Sequence, residues 1–392
     1  MASTRRAAPT AGTTPGAGLR PIERPAYTRH TVAGAAGAAG AATAPQLAVN
    51  VYPNPAAAAD ANTVLLLTHA NGMHKEMFEP LVKTLYGTSR DSREAAARPQ
   101  FRASAARRIR AAVAWDLRYQ GDTSRGDPIP DAHAWRVPWQ VLAGDLAQVV
   151  AFIRQTWPQV LICAVGHSVG GNMTLQLALN EPGVFYAVHV VEPILPGDTE
   201  ASNGGALVMG DVASRRKPAY PSREGLAAHC LKRSFFARWD PECFDMHVQH
   251  GFKDGVDADG QPCVVMKTTP DAEAACFRGV GPEGFGGRIE RELTQRVSFW
   301  AGSESFYHVP DGAPANGSMF TRTLKRFRTV DLRVVPNTNH MLLFEPGVAR
   351  RLAADIVAHL PGEADADGHP CIADGDCFAA QPPVVAVAAA KL

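Results

Sequence analysis

Two kinds of hydrophobic pattern alternate along the chain. The first is a short, largely apolar run: Thr63-Val64-Leu65-Leu66-Leu67-Thr68, Arg110 to Trp115, Val160 to Val165 (the one without any polar residue), Phe185 to Val191, Arg296 to Gly302 and Thr329 to Val335. Such runs predict strands covered on both faces. Leu47 to Tyr52 alternates instead and predicts an earlier strand. The second pattern has helical spacing. Met77, Leu81, Val82 and Leu85 form one stripe, and Val141, Leu142, Leu146, Val149, Val150 and Ile153 another. Further helices are expected from Val169 to about Leu179, from Met319 to Phe327 and from Val348 to Leu360. Strand and helix in turn predict an α/β fold, a mostly parallel sheet with helices on both faces.

The alternation breaks in four places. Residues 1–45 are rich in Ala, Gly, Pro and Thr and are expected to be disordered and of low complexity. Residues 87–108 fit an exposed insertion. Residues 198–292 carry Gly, Pro and Cys between short helical pieces and are expected to form an inserted cap within a domain spanning 46–361. Residues 362–392 form a polar, then Ala/Val/Pro-rich, flexible tail.

One stretch organises the rest. Val160 to Val165 leads into Gly166-His167-Ser168-Val169-Gly170-Gly171, then into Asn172-Met173-Thr174-Leu175-Gln176-Leu177-Ala178. This reads as strand, sharp turn and helix, with Ser168 on the turn in a G-x-S-x-G pattern. Glycines flank the serine because Cβ atoms there would clash. The helix that follows favours negative charge at its N-terminus.

Composition narrows the setting. A chain of 392 residues, 46% hydrophobic, can bury a sizeable core. A net charge of +1 gives no reason to expect a nucleic-acid partner. No run is long enough for a transmembrane segment. Seven cysteines, odd in number and without metal-ligand spacing, suit a reducing compartment. No cofactor or metal is expected.

A serine needs a base to take its proton and a third, usually acidic, group to hold the base. His340, in Asn337-Thr338-Asn339-His340 after the last strand, stands where that edge of the sheet would return it to Ser168. For the acid, Glu192 is preferred: it is a lone charge between Val188-His189-Val190-Val191 and Pro193-Ile194-Leu195. Glu304 is the alternative. Ser305, three residues past Gly302, occupies a common acid position but cannot carry charge. The oxyanion of a tetrahedral intermediate would be held by the backbone N–H of Val169 and by the loop His69-Ala70-Asn71-Gly72, through the N–H of Asn71 or a near neighbour, or the Asn71 side chain.

These motifs, G-H-S-V-G-G, H-A-N-G-M-H-K-E-M-F, D-L-R-Y-Q-G-D-T-S and N-T-N-H, resemble the α/β-hydrolase superfamily over about residues 46–361. Within it the chain resembles fungal peroxisomal serine hydrolases, a branch that includes a yeast peroxisomal lipase and hydrolases of host-selective toxin biosynthesis. The cues are H-A-N-G-M-H-K-E, V-V-E-P-I-L after the elbow and no Asp after Gly302. The resemblance implies an eight-stranded-type sheet with an inserted cap, and supports Glu192 as the acid. Ala70 departs from the family's usual Gly in this loop.

The expected activity is hydrolysis of an ester or thioester with an apolar acyl part, as a lipase, esterase or thioesterase would perform it through an acyl-enzyme on Ser168. A C–C bond hydrolase or acyltransferase would use the same residues, and a non-catalytic binding protein could keep the fold. The small-molecule acyl substrate is expected to sit under the cap, against Phe235, Phe236, Trp239, Phe244 and Met246. The terminal Ala390-Lys391-Leu392 differs from Ser-Lys-Leu by one small residue, so a peroxisomal import receptor is an expected partner and the peroxisomal matrix the expected location.

Overall fold

In the computed structural model the described residues are 19, 22–35, 44–88, 107–123, 136–195, 204–279, 281–305 and 326–361. Their strands, in chain order, are β1 (Thr28–Ala33), β2 (Gln46–Pro53), β3 (Thr63–Thr68), β4 (Ile109–Trp115), β5 (Leu161–His167), β6 (Ala187–Val191), β7 (Ala219–Tyr220), β8 (Phe252–Val256), β9 (Pro262–Met266), β10 (Val297–Gly302) and β11 (Val330–Val335). The helices are α1 (Glu79–Leu85), α2 (Trp139–Thr156), α3 (Val169–Asn180), α4 (Gly204–Ser214), α5 (Arg223–Leu231), α6 (Ser234–Ala237), α7 (Pro241–His250), α8 (Pro270–Phe277), α9 (Phe285–Glu292) and α10 (Val348–Ala358).

Eight strands form one sheet in the order β1-β2-β4-β3-β5-β6-β10-β11. β1–β2 and β2–β4 are antiparallel, and the pairs from β4 to β11 are parallel. The apolar runs of the central strands follow from burial on both faces. Along β3, Val64 and Leu66 enter one cluster with Val113, Ile162, Leu146 and Val149. Leu65 and Leu67 enter the other with Ala112, Cys163, Leu81 and Leu352. A fully buried leucine on either face is worth roughly 1.5–3 kcal/mol of transfer free energy.

Three expectations change. Thr28–Ala33, inside the segment expected to be disordered, is a strand paired with β2 from Thr28 opposite Val51 to Ala33 opposite Gln46. It is an edge strand, half-exposed, and its backbone pairing needs no apolar alternation. The cap region contains a three-stranded antiparallel sheet, β7-β9-β8, rather than helical pieces alone. The cap also ends before residue 292, because Phe285 and Ile289 of α9 are buried against the main sheet with Phe299 and Val184. The helix expected over Met319 to Phe327 lies outside the described residues except for its last two. So do most of the 87–108 insertion and all of 362–392. Among the described residues no helix is long and apolar enough to cross a membrane.

Candidate active site

Ser168 sits between β5 and α3 with φ 57° and ψ −119°, outside the regions an L-residue prefers. The turn is tight enough to need glycine. A Cβ on Gly166 would lie 2.5 Å from the Gly170 carbonyl oxygen, and one on Gly170 would lie 2.4 Å from that of Thr68. This close seat of α3 on the end of β3 brings the start of the helix beside the His69–Gly72 loop. The Ser168 N–H donates to Val191 O at 2.9 Å, which ties the turn to the next strand.

His340 reaches back from the loop after β11. Its Nε2 is 3.0 Å from Ser168 Oγ and its Nδ1 is 3.1 Å from Glu192 Oε2. Glu192 follows β6 with φ 48° and is fully buried. Its N–H donates to Trp300 O at 2.8 Å, and its Oε1 accepts the Gly302 N–H at 2.7 Å. Ser305 donates its hydroxyl to Oε2. Burying a carboxylate costs several kcal/mol unless it is paired, and these donors supply the pairing. Ser305 therefore supports Glu192, the candidate acid, from the common acid position after Gly302, where this sequence has none. Glu304 lies elsewhere: it is surface-exposed and paired with Arg238.

His167 is a further residue that sequence reasoning passed over. It is buried, and its Nε2–H donates to the His340 carbonyl at 2.9 Å, while its ring lies 5.5 Å from that of His340. Burial, with His340 adding to it, pushes its pKa down to about 3, so it is a neutral donor that fixes the His340 backbone. Its place as the x before the nucleophile was the available signal.

On the other side of Ser168, Val169 is the first residue of α3, and its N–H has no acceptor within the helix. The Asn71 N–H has no partner among the described residues. The Asn71 side chain is already engaged: Nδ2 donates to Glu273 O at 2.9 Å and Oδ1 accepts from Gln120 Nε2 at 2.8 Å. The side-chain amide is thus committed within the protein, whereas the backbone N–H is not. His69 is buried, donates from Nδ1 to Ala70 O and accepts the Leu117 N–H on Nε2, and burial lowers its pKa to about 4.

Comparison with known proteins agrees with this fold. The sequence profile of the alpha/beta hydrolase family matches residues 64–353. The chain belongs to the alpha/beta hydrolase family. A type I acyl-CoA thioesterase from Penicillium roqueforti is 30% identical over 118 residues, which is 30% of this chain and 27% of that protein. An abhydrolase domain-containing protein from Alternaria alternata is 26% identical over 227 residues, 50% of this chain and 81% of that protein. The chain thus aligns with well under half of the Penicillium thioesterase's own length. Among solved structures, a peroxisomal alpha-beta-hydrolase from Saccharomyces cerevisiae has a TM-score of 0.63 at 16% identity, covering 86% of this chain and 90% of that one.

In this α/β-hydrolase the cap meets the core at two seams. At one, Trp239 packs on Phe344 with ring centroids 4.8 Å apart, and Phe344 packs on His167 at 5.6 Å. Phe236, Trp239, Phe244 and Met246 are buried in this seam, whereas Phe235 is exposed on one side. At the other, Lys267 pairs with Asp122 at 2.7 Å and Thr268 Oγ1 accepts the Gly121 N–H at 3.1 Å. Beneath it Lys75, buried, contacts Glu76 at 2.9 Å, Asp116 at 2.8 Å and Asp122 at 2.7 Å. Burial works against its charge, and those carboxylates more than reverse this, so its pKa lies above the ordinary lysine value.

Proposed function

We propose that this hydrolase cleaves an ester or thioester with an apolar acyl part through an acyl-enzyme on Ser168. The observation that carries the reading is the hydrogen-bonded line from Ser168 Oγ to His340 to the buried Glu192. His340 Nε2 takes the serine proton as Oγ attacks the carbonyl carbon, and Glu192 stabilises the imidazolium that forms. The carbonyl π electrons move onto oxygen, where the N–H groups of Val169 and Asn71 receive the charge. The intermediate collapses, the leaving alcohol or thiol takes the proton from His340, and water repeats the sequence to release the acid.

The activity for which the Penicillium relative is named supports the thioester side of this reading. A peroxisomal matrix address belongs to the same proposal. It is supported by the fold shared with the yeast peroxisomal hydrolase and by the Ala390-Lys391-Leu392 tripeptide.

The test is labelling with a fluorophosphonate, followed by turnover of acyl esters and acyl-CoA thioesters of graded chain length. Labelling that disappears in Ser168→Ala, with hydrolysis of at least one series, is expected. A folded protein that neither labels nor hydrolyses any of them refutes the reading and favours a binding role. Fluorescent fusions at either end test the address: import with the tail free and cytosolic signal with the tail masked.

A further inference from the structure

We infer that Gln120 is a positioning residue that fixes the Asn71 N–H and couples that half of the site to the seat of the cap. The inference rests on the reading of Ser168 as nucleophile and of the Asn71 N–H as an oxyanion donor.

Gln120 is buried, in the turn after β4, and both ends of its amide are used on the oxyanion loop. Oε1 accepts the Gly72 N–H at 2.9 Å, and Nε2 donates to Asn71 Oδ1 at 2.8 Å. One side chain thus grips both the Asn71 side chain and the Asn71–Gly72 peptide, immediately after the peptide that carries the Asn71 N–H. Asn71 passes the grip on, since its Nδ2 donates to the Glu273 carbonyl of cap helix α8 at 2.9 Å. Gly72, at φ 76°, lies flat against the Glu273 side chain: a Cβ there would be 2.7 Å from Glu273 Oε1. Glu273 is in turn held by Arg216 of the cap at 2.5 Å. Gln120 is itself anchored, donating its N–H to Leu117 O at 3.0 Å and accepting the Thr123 N–H at 3.1 Å. A donor amide that must meet developing charge works only when it is aimed beforehand. The peptide that carries the Asn71 N–H is Ala70–Asn71, whose carbonyl accepts from His69 Nδ1 and the Met73 N–H; the relay holds the residue on its other side.

Loss of one oxyanion donor costs about 10²–10³ in kcat. Misaiming a donor that is still present should cost less, about 10–100-fold. The test is Gln120→Ala assayed on an acyl p-nitrophenyl ester and against two inhibitors of matched acyl chain. One is a trifluoromethyl ketone: Ser168 Oγ bonds to its carbonyl carbon, the serine proton passes to His340, and the carbonyl becomes an oxyanion. The other is the corresponding alcohol, which forms no oxyanion. We expect kcat and ketone affinity to fall together, with KM and alcohol affinity within about threefold of wild type. Gln120→Glu is the second variant. It keeps the acceptor for Gly72 but can donate to Asn71 only when protonated, so the ratio of its kcat to that of wild type should rise as the pH falls.

Wild-type kcat and ketone affinity in folded Gln120→Ala overturn the inference. So does equal weakening of both inhibitors, which marks a merely structural role. If Gln120→Ala is insoluble, a flat pH ratio for Gln120→Glu overturns it. A wild-type protein that fails to label with fluorophosphonate refutes the underlying reading instead, so the two failures are distinct.

Discussion

On one side of Ser168, His340, Glu192 and His167 hang from the ends of β11, β6 and β5, and their partners Gly302, Ser305 and Trp300 come from β10 and the turn after it. On the other side, Asn71 and Gly72 take their partners from Gln120 and from Glu273 of the cap, over a buried lysine held by three carboxylates. The side of the proposed triad is built mainly by the sheet, with the His340 loop also touched by Arg238. The oxyanion side is a product of the sheet and the cap together. A parallel sheet fixes strand ends by its ladder, so groups on them need few further contacts. A loop leaving one strand has no ladder and must be tied down by other means. On the proposed reading, the fold keeps Ser168 and His340 on a rigid frame while leaving the His69–Gly72 loop open to influence from the cap.

The largest expected effect comes from breaking the sheet-held side. Glu192→Gln should lower kcat by up to about 10⁴, because the neutral amide cannot stabilise the His340 imidazolium and can hold the wrong tautomer. KM should change little, since Glu192 faces His340 rather than the ligand. Steady-state kinetics on an acyl ester decide this. Near-normal kcat would remove Glu192 from the mechanism and leave the triad side without its acid.

The cap-tied side should break through stability first. Lys75→Met leaves Glu76, Asp116 and Asp122 facing one another without their shared cation. Removing one partner of a buried ion cluster costs about 3–5 kcal/mol. At this size that lowers Tm by about 10 °C, measurable by calorimetry. A change below about 2 °C would mean that the lysine is not what holds the loop.

Acid should then separate the two sides less sharply, because both carry histidines kept neutral by burial. His69 and His167 have folded pKa values lowered to about 4 and about 3. Unfolded, each titrates near ~6.5, so the unfolded state gains protons first and stability falls as the pH drops below that value. Asp122 adds a second loss on the cap-tied side alone. Burial acts against its ionised form, but Lys75 and Lys267 bring its pKa down to about 2. Its contribution is present above its unfolded value of ~3.9 and disappears as the pH falls toward the folded one. Thermal scans should show Tm falling gradually from about pH 6.5 and more steeply below about pH 4. A flat Tm between pH 7 and pH 4 would contradict the assignment.

The contrast between the two sides also explains which parts of the site are legible in the amino-acid sequence. The elbow is legible because its rule is local: glycines within a few residues of Ser168 clear the space it needs. His340 is legible from its place after the last strand, and Glu192 as a lone charge in an apolar context. The supports are not. Ser305 meets Glu192 across 113 residues and Asn71 meets Glu273 across 202, and neither contact leaves a trace in local pattern. β1 escapes the hydrophobic pattern because edge pairing uses backbone rather than apolar side chains. The cap's small sheet escapes it because its strands are only two to five residues long.

The smallest expected effect is also the sharpest probe of whether the triad side is independent of the cap. Arg238 of the cap reaches Glu304, Glu345 and the carbonyl of Asn337, three residues before His340. Glu304 is about half-exposed, so its ion pair with Arg238 is screened by water. Such pairs contribute about 0–1 kcal/mol. Arg238 keeps Glu345 and Asn337 when Glu304 loses its charge, so the His340 loop should hold its place. Glu304→Gln should therefore leave kcat and KM within about twofold of wild type and Tm nearly unchanged. A tenfold loss of kcat with unchanged KM would show that the cap reaches the base as well as the oxyanion loop, and the division between the two sides would no longer stand.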